Sequence, residues 1–273
     1  MSIFEILPLK TIIITLLGTC LAGAVCSLIG TFIVRMKLTS LGFCMSHAAF
    51  AGSALGLALS LPPLWLALAF SILVAFILGP LADKSRLQPE IILGILFSLT
   101  MALGLTFLNF IPDSAMSSTA MSILWGSILG ITDLDVIRLA VLTFSVILII
   151  ILFFKEFHAI MFDRKMAEAS GIATKPFYYL ILFLTGITVA FSIKLVGGLL
   201  IFALIVNPAS CAYQYFYDFR KILLFSPLFG ILFSLGGIIL SFLLDFPIGS
   251  SIAITSSVGF GLSVILSPKR RKG

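Results

Sequence analysis

The sequence predicts an all-α polytopic membrane protein of about nine transmembrane helices, with its N-terminus outside and its C-terminus cytoplasmic. Three observations carry that expectation. Of 273 residues, 60% are hydrophobic and only 10% are charged, where soluble domains are about 25% charged. The apolar residues fall in runs near the ~20 residues that cross ~30 Å of hydrocarbon as a helix. The charges lie between those runs, with the cations biased to one side.

In chain order the spans are read at 11–34, 40–60, 63–82, 91–111, 136–154, 176–193, 196–214, 222–244 and 247–267. Met1–Lys10 carries Glu5 and lacks a basic leader, and the run after it reaches Val34, so it reads as a first span rather than a signal peptide. Pro62 and Pro63 separate the second and third spans, because proline cannot continue the helical ladder. The sixth and seventh are divided only by Ser192–Val196. Within the external segment Pro112–Asp135, Ala120–Ile131 is apolar but too short to cross and is expected as a surface or re-entrant helix. No interruption is long enough for a soluble domain, so residues 1–273 read as one transmembrane domain. Cys20, Cys26, Cys44 and Cys211 all lie in apolar runs without a C-x-x-C pair, which predicts buried thiols and no disulfide framework.

Orientation follows from the cations. With the C-terminal Lys269–Lys272 cluster in the cytoplasm, fourteen of the seventeen Lys and Arg residues fall inside, and only Lys10, Arg138 and Lys194 fall outside. Five acids against those three cations leave −2 outside; six acids against fourteen cations leave +8 inside. The basic balance is therefore a property of the cytoplasmic face and calls for no nucleic acid.

Motifs for catalysis are missing. There is no G-x-x-x-x-G-K-[ST], no H-E-x-x-H and no G-x-S-x-G, and acids sit at span ends, so an enzyme is not expected. One ionisable side chain lies deep in a span: His47, within Gly42-Phe43-Cys44-Met45-Ser46-His47-Ala48. Such a group is costly in hydrocarbon and is a candidate site by default. Cys44 and Phe43, three and four residues earlier, share its helix face. The alternative is a histidine hydrogen-bonded between helices. The loop Lys155–Ile172 is the other informative segment. Asp163 can cap a helix that Gly171 ends, giving a short cytoplasmic amphipathic helix near 156–172 that either binds a partner or lies on headgroups.

These segments resemble the integral-membrane permeases of zinc/manganese/iron-type ABC uptake transporters. The family's second-span G-D-x-L-S-H-A is similar to Gly42–Ala48. Its F-D-x-x-x-A-x-A-x-G is similar to Phe162, Asp163, Ala167, Ala169 and Gly171. Its V-G-x-L-L-x-x-A-L-x-x-x-P-A is similar to Val196–Leu200 through Ala203-Leu204 and Asn207 to Pro208-Ala209. Its D-x-P-x-G is similar to Asp245, Pro247 and Gly249. The resemblance implies a permease homodimer in the plasma membrane of a prokaryote, a cytoplasmic ABC ATPase that carries the ATP, and an extracytoplasmic metal-binding protein. It implies that the helix near Asp163–Gly171 docks into the ATPase and that His47 lines the path of a divalent metal. The chain itself would hold no resident cofactor. Phe43, Asn207, Pro208 and Asp245 would serve the path or its packing.

One position departs from the family. Phe43 stands where the family has aspartate, which removes a hard oxygen donor and disfavours manganese. Cys44 and His47, doubled across a homodimer, would supply two sulfurs and two nitrogens suited to zinc. The expectation is therefore zinc first, manganese or iron next. A permease for a metal chelate or cobalamin is the alternative that Phe43 favours. A self-sufficient ion-coupled carrier would need acids within the spans, and they are missing.

Overall fold

Apolar runs become helices here, and glycine, proline and aspartate decide where they stop. The computed structural model describes residues 8–85, 87–111, 126, 131–198 and 200–269. In order these form α1 (Leu9–Arg35), α2 (Thr39–Ala58), α3 (Pro63–Ser85), α4 (Pro89–Leu108), α5 (Asp133–Leu152), α6 (Phe154–Phe162), α7 (Arg164–Ala169), α8 (Thr174–Val196), α9 (Ile201–Tyr215), α10 (Phe219–Leu244) and α11 (Ile248–Ile265). There is no strand among the described residues. Most of the segment expected as a short helix at Ala120–Ile131 lies outside them.

Among the described residues, eight helices are long and apolar enough to cross a membrane: α1 to α5, α8, α10 and α11. The expected seventh span differs. It is a helix of only 15 residues, α9, about 22 Å long at ~1.5 Å per residue. The cause is Gly197, whose φ of 92° is a conformation that side chains with a Cβ avoid. It ends α8 three residues later than expected and delays the next helix to Ile201. A Cβ on Gly198 would lie 3.6 Å from that of Phe50, so the break sits level with the interior of α2. From there α9 runs to the basic end, where Lys269 Nζ donates to the Tyr213 and Phe216 carbonyls at 2.5 and 2.8 Å.

Helices α1, α2 and α8 are the most buried spans, and glycine lets neighbours of α1 and α2 touch backbone. A Cβ on Gly30 of α1 would come within 1.8 Å of the Ile205 carbonyl oxygen of α9, and one on Gly52 of α2 within 2.2 Å of that of Leu66 in α3. Such close approach is how helices gain van der Waals contact where lipid removes the hydrophobic driving force. Polar links are short: the Ser226 hydroxyl of α10 donates to the Ser27 carbonyl of α1 at 2.8 Å.

The two ends differ in charge. At one end Lys10 pairs with Asp133 at 2.7 Å, while Lys194 and Arg138 reach Asp135 at 2.6 and 3.7 Å. These are the three cations that the sequence groups apart, and they tie the start of α1, the start of α5 and the end of α8. At the other end Arg35 Nε donates to the Met161 carbonyl at 2.9 Å.

The single helix expected near 156–172 is two helices, α6 and α7, because Asp163 is extended at φ −156°. Asp163 ends α6, and its side chain accepts from the Met166 amide at 2.9 Å to cap α7. Gly171, at φ 84°, closes α7: its amide reaches the Glu168 carbonyl, and the Ile172 amide reaches that of Ala167, both at 3.0 Å.

Candidate functional site

Glycine and alanine make α2 slim enough to be enclosed by α3, α4, α8 and α9, and this encloses His47. The side chain is 2% exposed. Two phenylalanines contact the imidazole, and a third packs on the first of them. Phe43, one turn back on α2, meets it edge to face with ring centroids 4.8 Å apart. Phe97 of α4 meets it at 4.8 Å and stacks on Phe43 at 4.7 Å. Phe202, in the first turn of α9, meets Phe43 at 5.6 Å. All three phenylalanines are half-buried, so they form the exposed side of the enclosure and His47 its interior.

Neither His47 Nδ1 nor Nε2 has a hydrogen-bond partner. A buried polar group left unpaired costs about 1–3 kcal/mol, and such groups are rare enough to mark function. The structure therefore does not supply the interhelical hydrogen bond of the alternative reading. It does not hydrogen-bond Cys44 to His47 either; Cys44 is fully buried in the core. No group of three or more His, Cys, Asp or Glu side chains able to hold a metal occurs among the described residues. Any site with more His, Cys, Asp or Glu ligands than His47 and Cys44 needs donors from outside the described residues. All four cysteines are free.

The remaining sequence candidates scatter. Asn207 Nδ2 donates to the Ser256 and Ser257 hydroxyls of α11 at 3.0 and 3.1 Å. Pro208 is buried within α9. Asp245 is a left-handed cap, φ 52°, at the far end of α10. These three organise helix packing and ends; they do not meet His47 in a ligand group. Phe97 and Phe202 were not legible as site residues, since nothing distinguishes them among 26 phenylalanines.

The α6–α7 segment presents a definite face. Phe162 and Met166 are 73% and 63% exposed, with Asp163 and Ala169 also exposed. Ala167 is 3% exposed and packs into the core, so it anchors the helix instead of forming its outer surface. The Thr174 hydroxyl donates to Glu168, which also pairs with Arg164 at 3.3 Å. Thr174 first, then Arg164, hold the Glu168 carboxyl below its usual range. Lys269 is lowered instead, by burial.

The helical bundle, with eight apolar spans among the described residues and a lone buried imidazole, is that of a polytopic membrane protein. The model of the ABC 3 transport family matches residues 9–267, and the chain belongs to that family, whose members are the membrane transport subunits of ABC systems. It is 31% identical over 251 residues to the manganese import system permease protein ScaB of Streptococcus parasanguinis, covering 92% of this chain and 88% of that one. It is 30% identical over 250 residues to the manganese transport system membrane protein MntC of Listeria monocytogenes, covering 91% and 88%. Among solved structures, PsaBC from Streptococcus pneumoniae in complex with Fab matches with a TM-score of 0.83 at 29% identity, over 94% of this chain and 92% of that one. The chain is a multi-pass protein of the bacterial plasma membrane.

Proposed function

We propose that the chain is the permease of an ATP-driven importer for a divalent metal ion, zinc before manganese or iron. It works as a homodimer with a cytoplasmic ATPase and an extracytoplasmic metal-binding protein, N-terminus outside and C-terminus inside. The observation that carries the reading is His47, a buried imidazole with two unpartnered nitrogens, in a family whose relatives are named for metal transport. The relatives point to manganese. The ring at Phe43 points away from it, since manganese favours oxygen donors and imidazole suits zinc. The face of Phe162 and Met166 would receive the ATPase and pass its closure to α8 through Thr174. The carbon wall at Phe43 favours one second reading, a chelated metal that keeps its own ligands.

The test is zinc and manganese uptake in a strain lacking the native permease, at matched membrane expression. His47→Ala should abolish most uptake. Phe43→Asp should shift preference toward manganese by adding a hard donor on the His47 face. Normal rates and selectivity in His47→Ala would remove the site from the mechanism.

A further inference from the structure

Helices α5 and α10 both pack on α1 but make little contact with each other. They leave a groove of about 680 Å³ along the flank of the bundle. Its floor is Leu28 of α1 and Ile150 of α5, and its open walls are Ile147, Leu224 and Leu228. Pro227 of α10 also lines it; with no N–H to donate, proline loosens the helix there. Apart from Thr143, whose hydroxyl donates to the Leu139 carbonyl at 2.7 Å, the lining is apolar with one charged exception. Arg220 closes the end on the basic face, its guanidinium 5.3 Å from the centroid of the Phe154 ring. No acidic side chain is paired with that guanidinium among the described residues.

A long apolar trough ending at an unpaired guanidinium matches one ligand chemistry in a bilayer: a hydrocarbon chain with an anionic phosphate at its head. We infer that this groove is a binding site for an anionic phospholipid, with an acyl chain along Leu28, Ile147, Ile150 and Leu228 and the phosphodiester on Arg220. Two features of the bundle favour lipid over a second copy of the chain. The enclosure around His47 opens between α2, α4 and α9, on other helices than the groove. A protein surface would also have to match the trough in both shape and charge, whereas an acyl chain fits without a complementary shape. Basic pockets at the cytoplasmic ends of spanning helices attract anionic headgroups at about 1 kcal/mol per cation, which is about fivefold in affinity. Guanidinium suits the phosphate because its donors are forked and always charged.

The test uses the permease in nanodiscs of phosphatidylcholine, with Leu224→Trp introduced and Trp65 and Trp125 replaced by phenylalanine. A minor fraction of acyl-brominated phosphatidylglycerol should quench the indole with about fivefold higher apparent affinity than brominated phosphatidylcholine. Arg220→Gln should abolish that preference, and Arg220→Lys should keep part of it. Equal quenching by both lipids in the unaltered Arg220 background would overturn the proposal and leave ordinary boundary lipid. Absence of quenching by either would overturn it in favour of a protein occupant such as a second copy. Where Leu224→Trp fails to fold, native mass spectrometry of the chain with its natural tryptophans gives the same decision. Retained phosphatidylglycerol that Arg220→Gln releases supports the site, and equal retention in both overturns it.

Discussion

The Phe43 and Phe97 rings stack at 4.7 Å and 30° directly over His47. Two different helices thus close the imidazole in with carbon, and nothing polar replaces the water they exclude. The side chain that would accept a metal is kept dry until one of those rings moves. Phe97 is the better candidate to move, because it is carried by α4 and moves with that helix, whereas Phe43 shares a helix with His47 and leaves it only by a rotamer change.

Phe97→Ala should therefore uncover position 47. In a His47→Cys background, thiol alkylation from the aqueous phase should be slow with Phe97 present and clearly faster with alanine. Loss of the two ring pairs should cost roughly 1–3 kcal/mol of stability, at about 0.5–1.5 kcal/mol each. Equal alkylation rates in both backgrounds would mean that position 47 is reached by another route.

Gly30 and Gly94 give a matched pair. A Cβ at Gly30 would overlap the Ile205 carbonyl oxygen at 1.8 Å, whereas nothing lies within 4 Å of one at Gly94. Gly30→Ala should force α1 from α9 and destabilise by about 1–3 kcal/mol. Gly94→Ala should be neutral or slightly stabilising, since it removes backbone freedom from an exposed helical site. Thermal unfolding in detergent compares the two, and a shift of equal size in both would contradict the close approach.

The sidedness of the bundle can be read by labelling. Leu61, between α2 and α3, and Ser85, at the end of α3, lie at opposite ends of one helix. In intact cells, Leu61→Cys should react with an impermeant thiol reagent and Ser85→Cys only after lysis. The reverse pattern would invert the proposed orientation.

A pH effect is expected at α7. The Thr174 hydroxyl, and then Arg164, hold the Glu168 carboxyl below its ordinary value, which is about 4.3. Below that ordinary value the unfolded chain takes up a proton that the folded one still refuses. The link therefore contributes fully above about pH 4.3 and is lost as pH falls through the lowered folded value. Hydrogen-exchange protection of residues 164–170, corrected for intrinsic rates, should decline over that acid window. Thr174→Val should move the decline to higher pH. Protection that is flat with pH in both proteins would mean that Glu168 does not hold the helix.

Span positions were legible because the bilayer imposes one rule on length and polarity, and charges at Arg35, Lys84, Lys155 and Arg220 interrupt the apolar runs. The caps at Asp163 and Gly171 were legible because their chemistry is local. The length of α9 was not, since it depends on the backbone angle at Gly197, and a glycine within an apolar run gives no sign of which conformation it adopts. His47 announced itself by being ionisable at depth. Its covers, Phe97 and Phe202, come from 50 and 155 residues further along the chain, and only tertiary packing selects them. The resemblance puts Ala167 on the docking helix, and only packing shows that its side chain turns inward.

The interruption at Gly197 has a consequence for where water can go. Gly197, Gly198 and Leu200 lie outside regular helix, yet Gly198 lies beside Phe50 in the interior of α2. Peptide dipoles outside a helix cannot be turned toward acyl chains at that depth; they have to face protein or a hydrated space. The break therefore fixes one azimuth of the bundle as lipid-free. That azimuth carries Phe202 and, behind it, His47. A hydrated space along the bundle has a backbone lining available in this sector, which a glycine sets without help from any charged side chain.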